Sequence, residues 1–438
     1  MFSEWIRRTT YWTFDFLSGS KVKKHYVDIK NIMENNTSSI IFQKKKKYIT
    51  DILEYASKHV EFYKPYYAYS TLNDFPIINK SIIKEHYDQF QSPEYSDANV
   101  INMHTSGSTG TPFVVRQDMN KRNRVLAEMI YFWGKAGFQV GIRYVFFRIW
   151  TSGNRKSKFS TISRNLVMSD ILSLDENNLE IIRKMLKRDH KIKMLLGYAS
   201  TFENLANYLL SCKDKPDMFS LKTVISGSEV LSETVRQKLN TVFNCNVVSL
   251  YSNQENGVLA QECIDNKEFH VNSASYVMEI LKIDNDEPAP VGELGRVVIT
   301  DLFNRAMPII RYDTGDLARK KNRAECGWNT SVISQVEGRK VDMIYATDGT
   351  PLSPHTWSVY MWKYNELKQY QFIQEDEKKY TIKVNGAEGV YPDEDIELTM
   401  KEILGADAEI TIEHVSQIPV LESGKFKKTI CNYKPKMR

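Results

Sequence analysis

Residues Thr105 to Pro112 read Thr-Ser-Gly-Ser-Thr-Gly-Thr-Pro, hydroxyls alternating with glycines just ahead of a helix-like segment. Glycines let a main chain approach phosphate oxygens without a Cβ in the way, and amides in a concave turn add partial positive charge. Ser106, Ser108, Thr109 and Thr111 add neutral donors. The chemistry such a loop suits is the grasp of a polyphosphate, and Thr105, Ser106, Gly107, Ser108, Thr109 and Gly110 are read as ATP-binding. Thr111, not lysine, follows Gly110. The loop is therefore not of the Walker type, whose Gly-Lys-Ser/Thr ending carries a fixed cation. A Gly/Ser/Thr linker has the same composition, so the rest of the chain must decide.

Further segments follow in order: Ser226-Gly227-Ser228-Glu229, Tyr251-Ser252-Asn253-Gln254-Glu255, Arg311-Tyr312-Asp313-Thr314-Gly315-Asp316, Gly338-Arg339 and, near the end, Ser423-Gly424-Lys425. Together with the first loop they resemble the acyl-adenylate-forming superfamily: acyl-CoA synthetases, luciferases and peptide-synthetase adenylation domains. The compact length and the form of the later motifs are most similar to the phenylacetate-CoA ligase branch and its CapK-type capsule-biosynthesis relatives. The resemblance runs from about residue 80 onward and implies attack of a carboxylate on the α-phosphorus of ATP, with magnesium as second cofactor. Such a step needs positioning, a divalent cation and positive charge on the phosphoryl transition state more than it needs covalent help.

Roles follow from the resemblance position by position. Glu255 is the magnesium ligand, since a hard cation that keeps most of its waters is commonly held by one or two carboxylates and substrate phosphates; a surface loop glutamate is the plainer alternative. Tyr251 is an aromatic wall for adenine, although tyrosine at a strand end is also common core packing. Ser228, Glu229, Ser252, Asn253 and Gln254 join the nucleotide site. Asp316 accepts from both ribose hydroxyls, as an ionised carboxylate with two oxygens can, or is a turn residue after glycine. Arg339 contacts the nucleotide at the domain junction. Lys425 is the mobile cation of adenylation, ranked above its neighbours Lys427 and Lys428 because it alone follows Ser-Gly.

Two departures from the family pattern stand out. The second position after Arg339 is Val341, with Asp342 next, where many relatives carry a pivot aspartate. The thioester half-reaction that domain rotation serves is thereby left open, and the balance tilts toward an amine or hydroxyl acceptor over coenzyme A. Some relatives also hold structural zinc with a Cys and His pair followed by Cys-x-Cys-Gly. Here Cys263 and His270 match the first half, but the second reads Ala324-Glu325-Cys326-Gly327. A closed structural site wants four ligands, so less than one zinc per chain is expected.

The elements that must position these residues are α/β in texture. Helical patterns over 118–136, 175–188, 201–210 and 232–243 alternate with strand patterns at 144–149, 194–196, 223–225 and 247–250, which implies crossover units and a parallel or mixed sheet. The motifs at Ser226 and Tyr251 then start at C-terminal strand ends, where open α/β sheets hold ligands. After Asn272 the pattern turns to β, with segments 274–283 and 296–300. Beyond the Val336–Asp342 boundary come strands 370–373, 379–384 and 409–414 and a helix at 393–404. The reading is an α/β protein: a large N-terminal domain of mixed sheets flanked by helices (1–337), binding ATP and carboxylate, and a small, mobile α+β C-terminal domain (338–438) carrying Lys425.

The 438 residues are ample for two domains, and 42% apolar with 26% charged residues is a globular balance. Five cysteines, an odd number without a dense framework, suggest a reducing cytoplasm. A net charge of +5 and the want of a recognisable basic recognition element do not nominate nucleic acid. Lys44 to Lys47 read as the solvated face of a helix over 39–58. Near the N-terminus Phe2, Trp5, Tyr11, Trp12, Phe14 and Phe16 mix with Arg7, Arg8, Lys21, Lys23 and Lys24, a composition found in interfacial membrane segments. Docking of these aromatics on the large domain is the preferred expectation over a peripheral membrane contact. The partners expected are a small carboxylate and an amine, hydroxyl or coenzyme A acceptor, and a homodimer is left open. The rival of another class is a nucleotide-binding scaffold that has lost catalysis; retention of Glu255, Asp316 and Lys425 speaks against it.

Overall fold

The structure is a computed structural model describing residues 2–433 apart from 105–113, 151–153, 173, 229–230, 232, 283–284, 323, 327, 329, 338–343, 353–359, 365–366, 368, 387–390, 417 and 419–428. Its chain forms two compact units: Met1–Thr105, Val114–Ile142 and Asn246–Gly338 make the first, and Ser106–Phe113, Arg143–Cys245 and Arg339–Arg438 the second.

The first unit begins with helices α1 (Phe2–Leu17), α2 (Lys21–Glu34), α3 (Ser39–His59) and α4 (Lys80–Glu85). Strands β1 (Val100–His104) and β2 (Val114–Asp118) pair antiparallel on either side of the Ser/Thr/Gly loop. Helix α5 (Met119–Lys135) follows, with Asp118 as its cap accepting from the Lys121 amide at 2.8 Å. From Asn246 the strands are β7 (Asn246–Asn253), β8 (Gly257–Glu262), β9 (Phe269–Val271), β10 (Tyr276–Leu281), β11 (Leu294–Asp301), β12 (Tyr312–Lys321) and β13 (Val332–Glu337). They lie in the order β10-β11-β12-β13-β9-β8-β7, every pair antiparallel. Leu259, Val271, Ile280, Val297, Ile299 and Ile333 form their core.

The second unit contains β3 (Arg143–Arg148), β4 (Leu166–Asp170), β5 (Ile192–Tyr198) and β6 (Thr223–Gly227), in the order β6-β5-β3-β4 and wholly parallel. Helices α6 (Lys158–Arg164), α7 (Glu176–Arg188), α8 (Ala199–Ser211) and α9 (Glu233–Phe243) alternate with them. Parallel strands need such crossovers, and burial on both faces explains near-continuous apolar runs such as Met194-Leu195-Leu196. Short pairs β14 (Ile344–Tyr345) and β15 (Pro351–Leu352) precede a four-stranded sheet of β16 (Gln369–Gln374), β17 (Lys379–Asn385), β18 (Glu409–His414) and β19 (Thr429–Cys431), on which helix α10 (Asp393–Leu404) buries Ile396, Met400 and Leu404.

The alternating helices and strands stand where the hydrophobic periods put them, which bears out the mixed α/β reading. Two regions differ. The antiparallel texture begins at β7, earlier than Asn272. The Arg311–Asp316 segment, to which the sequence patterns gave no element, runs into strand β12. Its Thr314-Gly315-Asp316 stretch hides from a strand pattern because it is a bulge.

Candidate active site

Two hairpins of the first unit carry the acids singled out by sequence. In the β7–β8 hairpin the Asn253 Oδ1 accepts from the Asn256 amide at 2.8 Å and closes a tight turn with Glu255 inside it. Gly257 leaves that turn with φ +134, and an added Cβ there would lie 2.6 Å from Glu128 Oε2, so no side chain fits. Gln117 ties the turn to β2 by donating to the Glu255 carbonyl at 2.9 Å.

Glu255 is 3% exposed. Its Oε1 lies 3.1 Å from Lys80 Nζ and accepts from the Tyr312 hydroxyl at 3.0 Å. Burial pushes the Glu255 pKa up, but the Lys80 ammonium and the hydrogen bonds to the carboxylate outweigh it and hold it below the ordinary glutamate value. Lys80 arrives there because residues 75–80 run beside the start of β12: the Ile78 amide donates to the Arg311 carbonyl at 3.0 Å, and the Asp313 amide to the Ile78 carbonyl at 2.8 Å. Arg311 fastens this segment, donating to the carbonyls of Asn73 and Phe75 while it pairs with the Glu279 carboxylate at 3.0 Å. Asn79 then starts α4 as its cap, accepting from the amides of Ser81 and Ile82.

Asp316 sits in the bulge between β11 and β12. Arg296 pairs with Leu317 and Val298 with Asp313, so Thr314, Gly315 and Asp316 all stand opposite Val297. Gly315 takes φ +76, a left-handed conformation that glycine adopts without a steric cost. The Thr314 hydroxyl donates to the Val297 carbonyl at 3.1 Å, and the Asp316 amide donates to that hydroxyl. The Asp316 side chain, half-buried, accepts from the Tyr251 hydroxyl at 2.8 Å. Each motif thus holds the other's acid: Tyr251 of the first reaches Asp316, and Tyr312 of the second reaches Glu255. The Tyr251 ring packs within the core of this unit.

Behind the Glu255 turn lies a polar network that sequence reasoning missed. Lys121, Arg124 and Glu128 recur along one face of α5 and are fully buried, where a solvated helix face would be expected. Lys121 Nζ pairs with Asp301 at 2.7 Å and donates to the Tyr276 hydroxyl at 2.9 Å. Tyr276 in turn lies 2.8 Å from the Asn256 carbonyl, and the Val258 amide donates to Glu128 Oε2 at 3.1 Å. Burial raises the pKa of Glu128, with Lys121 and Arg124 opposing. The signal in sequence was the interruption of an otherwise apolar stripe, with Val125, Ala127, Tyr131 and Phe132 also buried.

Other expected residues divide. Ser252, Asn253 and Gln254 are beside Glu255 on the hairpin. Ser228 follows β6 in the second unit with φ +67, a conformation rare for a residue with a Cβ. Thr105, Ser106, Gly107, Ser108, Thr109, Gly110, Glu229, Arg339, Val341 and Lys425 lie outside the described residues.

The sulfur and imidazole donors do converge. Metal-ligating atoms of Cys263, His270 and Cys326 lie within 4.8 Å of one another, and Cys326 Sγ is 3.1 Å from His270 Nε2. The other ring nitrogen, Nδ1, is 2.6 Å from Thr330 Oγ1, the kind of contact that fixes a ligating imidazole. Burial lowers the His270 pKa to about 4, which keeps the ring neutral and able to ligate. Among the described residues these three fit a soft divalent ion such as zinc, one protein ligand short of a closed site. Ala324 stands where the fourth would be expected from sequence.

Known proteins resemble this chain in sequence and in fold. A family model described as the CapK C-terminal domain matches residues 344–432. Protein CapK of Staphylococcus aureus is 23% identical over 96% of this chain and 95% of its own length. A phenylacetate-coenzyme A ligase of Aromatoleum evansii is 24% identical over 82% of this chain and 84% of its own. The crystal structure of a 2-hydroxyisobutyryl-CoA ligase, in complex with 2-HIB-AMP and CoA, shares the fold with a TM-score of 0.62, 15% identity and 92% coverage of both chains. Motifs, fold and relatives together support an assignment to the acyl-adenylate-forming superfamily, in the likeness of its phenylacetate-CoA ligase-like branch of ATP-dependent, AMP-forming ligases.

Proposed function

We propose that this chain activates a carboxylic acid as its acyl-adenylate and passes the acyl group to an amine or hydroxyl acceptor, in the manner suited to decorating a polysaccharide or its precursor. The observation that carries the reading is the cross-bracing of Glu255 by Tyr312 and of Asp316 by Tyr251, which gives two acids from separate motifs fixed positions within one unit. A substrate carboxylate oxygen attacks the α-phosphorus of ATP, the bond to the bridging β-phosphate oxygen breaks, and pyrophosphate leaves. The acceptor then attacks the acyl carbon, loses a proton, and AMP leaves.

In this reading Thr105 to Gly110 wrap the phosphates, and Ser228, Glu229, Ser252, Asn253 and Gln254 border the nucleotide. Asp316 takes the ribose hydroxyls while Tyr251 orients the carboxylate. A buried carboxylate whose ionised form is favoured suits a hard cation, so Glu255 would hold magnesium. That ion, when bound, neutralises phosphate charge. Arg339 contacts the nucleotide and Lys425 supplies the mobile cation from a lid of residues 338–438, consistent with the family match over 344–432.

A second reading, an acyl-CoA ligase, is favoured by the relatives named phenylacetate-coenzyme A ligase. A carboxylate library read by ATP-dependent pyrophosphate release, with hydroxylamine trapping of the adenylate, tests the shared first step. Mass analysis of the product with coenzyme A, amines or sugar hydroxyls then separates the acceptors. No pyrophosphate release and no hydroxamate with any acid would leave the nucleotide-binding scaffold as the surviving description. Within the active case, Lys425→Ala should slow adenylation at least about 100-fold with ATP affinity intact, whereas Lys428→Ala should leave it unchanged. Equal slowing by both would mean general electrostatics of a basic tail.

A further inference from the structure

Helix α1 is inside out. Its half-buried face carries Glu4, Arg7, Arg8 and Asp15 along with Tyr11 and Trp12. Its outward face carries Phe2 (76% exposed), Trp5 (57%), Ile6, Phe14, Phe16 (72%) and Leu17 (73%). Residues 2, 5, 6, 9, 13, 16 and 17 follow helical spacing and make one stripe, broken only by Thr9 and Thr13. The expectation that these aromatics dock on the large domain therefore fails for Phe2, Trp5, Phe14 and Phe16. Tyr11 and Trp12 alone turn inward.

The polar face is what fastens the helix. Arg8 donates to the Gln139 side chain at 2.6 Å and to the Val140 carbonyl at 3.3 Å. Gly141, at φ +99, lies so close beneath that an added Cβ would collide with the Glu4 carbonyl. Asp15 caps the next helix, accepting from the amides of Val22 and Lys23 at 2.9 and 2.8 Å. The apolar stripe is thus presented by a docked helix, in fixed orientation.

Charge identifies what covers it. The first 47 residues hold ten Lys and Arg against four Asp and Glu, while the whole chain holds 59 against 54. The remaining residues are thus one charge short of neutral, and the entire positive balance belongs to the N-terminal helices. Lys21, Lys23 and Lys24 are exposed just after Leu17, and Lys23 Nζ lies 4.6 Å over the Trp12 ring. Aromatic side chains beside lysines are the composition of a helix lying in a lipid interface, apolar face down and cations among the headgroups. A second copy of this chain would bring the same cationic region against itself, which is repulsive. Sixteen residues give a helix about 24 Å long, short of the roughly 20 residues a bilayer core demands. No helix among the described residues is long and apolar enough to cross a membrane.

We propose that α1 seats this protein on an anionic lipid surface, with Trp5 and Phe16 in the acyl boundary and Lys21, Lys23 and Lys24 against the headgroups. The inference is independent of the adenylation reading. Sedimentation of the full chain with vesicles tests it. The chain should pellet with phosphatidylcholine–phosphatidylglycerol vesicles, at least about tenfold less with phosphatidylcholine alone, and less as salt rises. The double substitution Trp5→Glu and Phe16→Glu, at exposed positions, should weaken binding by at least about tenfold. Reversal of Lys21, Lys23 and Lys24 to Glu should do the same through charge alone, with far-ultraviolet circular dichroism unchanged in both variants. Absence of pelleting with the anionic vesicles overturns the proposal, as does undiminished binding by the folded variants. So does light scattering that shows a dimer dissolved by Trp5→Glu and Phe16→Glu without any vesicle binding.

Discussion

Glu255 and Asp316 are held in the same way and live in opposite surroundings. Each accepts a hydroxyl from a tyrosine of the other's motif, at 3.0 and 2.8 Å. Glu255 is sealed in the protein with Lys80 as counter-charge, whereas Asp316 is half-buried on a bulged strand. An acid sealed with a counter-charge is fixed in ionisation as well as position. A half-buried acid at a bulge lies within reach of something that comes and goes. The roles proposed for them, metal ligand for Glu255 and sugar ligand for Asp316, differ in the same sense, and substitutions at each should separate the two.

The largest effect is expected at the sealed acid. Glu255→Gln keeps the shape and removes the charge that magnesium requires, so ATP should still bind while magnesium-dependent pyrophosphate release falls by at least about 100-fold. A variant that releases pyrophosphate at the native rate when magnesium is scarce would break the assignment.

Next comes stability. Lys80→Met leaves a buried carboxylate without its counter-charge, which costs about 3–5 kcal/mol in comparable pairs. The Glu255 pKa lies below its ordinary value, so the contribution of the pair is complete above about pH 4.3 and is lost as pH falls through the folded-state value. Urea unfolding of the two proteins should therefore differ most near neutrality and converge on acidification. A gap that stays constant with pH would mean that Lys80 stabilises by packing alone. Combining Lys80→Met with Glu255→Gln should recover much of the loss, because it removes the stranded charge.

How much of this contrast could be read from sequence depends on the kind of signal. The acids themselves were singled out through motifs that resemble a family's, in which Gly315 and Gly257 take backbone conformations that few other residues adopt. The helices and the parallel strands of the second unit were legible from hydrophobic period, and α7, read as 175–188, is found at Glu176–Arg188. Lys80 was not. It lies 175 positions from Glu255, as their numbers show, and joins it only through the pairing of Ile78 with β12. The tyrosines were legible as residues and misleading as roles: Tyr251 reads as an adenine wall, but its hydroxyl is committed to Asp316 and its ring to the core. Lys121, Arg124 and Glu128 were hidden because charge on a helix usually means solvent. Here three long-range partners, Asp301, Asp28 and Glu128's own contact with the Val258 amide, turn them inward.

At the open acid the effect should be on nucleotide binding and smaller. Asp316→Asn removes charge and one acceptor from the proposed ribose contact, worth about tenfold in KM for ATP. The penalty should vanish with 2′,3′-dideoxy-ATP, which offers no hydroxyls to either protein. If the dideoxy nucleotide shows the same tenfold difference, Asp316 acts on the hairpin and not on the sugar.

The smallest effect tests the cross-bracing itself. Tyr312→Phe and Tyr251→Phe each delete one hydroxyl donated to a carboxylate. At Glu255 water cannot easily replace it, and a hydrogen bond to a buried charge is worth about 1.5–3 kcal/mol, so Tyr312→Phe should lower stability by that amount and slow adenylation about tenfold. At Asp316 solvent can take the vacated place, and the Thr314 hydroxyl, 3.3 Å from the Tyr251 oxygen, remains on the bulge. Tyr251→Phe should therefore cost no more than about 1 kcal/mol and raise KM for ATP about threefold, with kcat unchanged, since the ring stays in the core and the lost hydroxyl aims a carboxylate that the bulge already places. The ratio of the two effects is the informative quantity. Equal losses would mean that both acids are equally shielded when substrate is bound, and the division into a sealed metal ligand and an open sugar ligand would fall with that result.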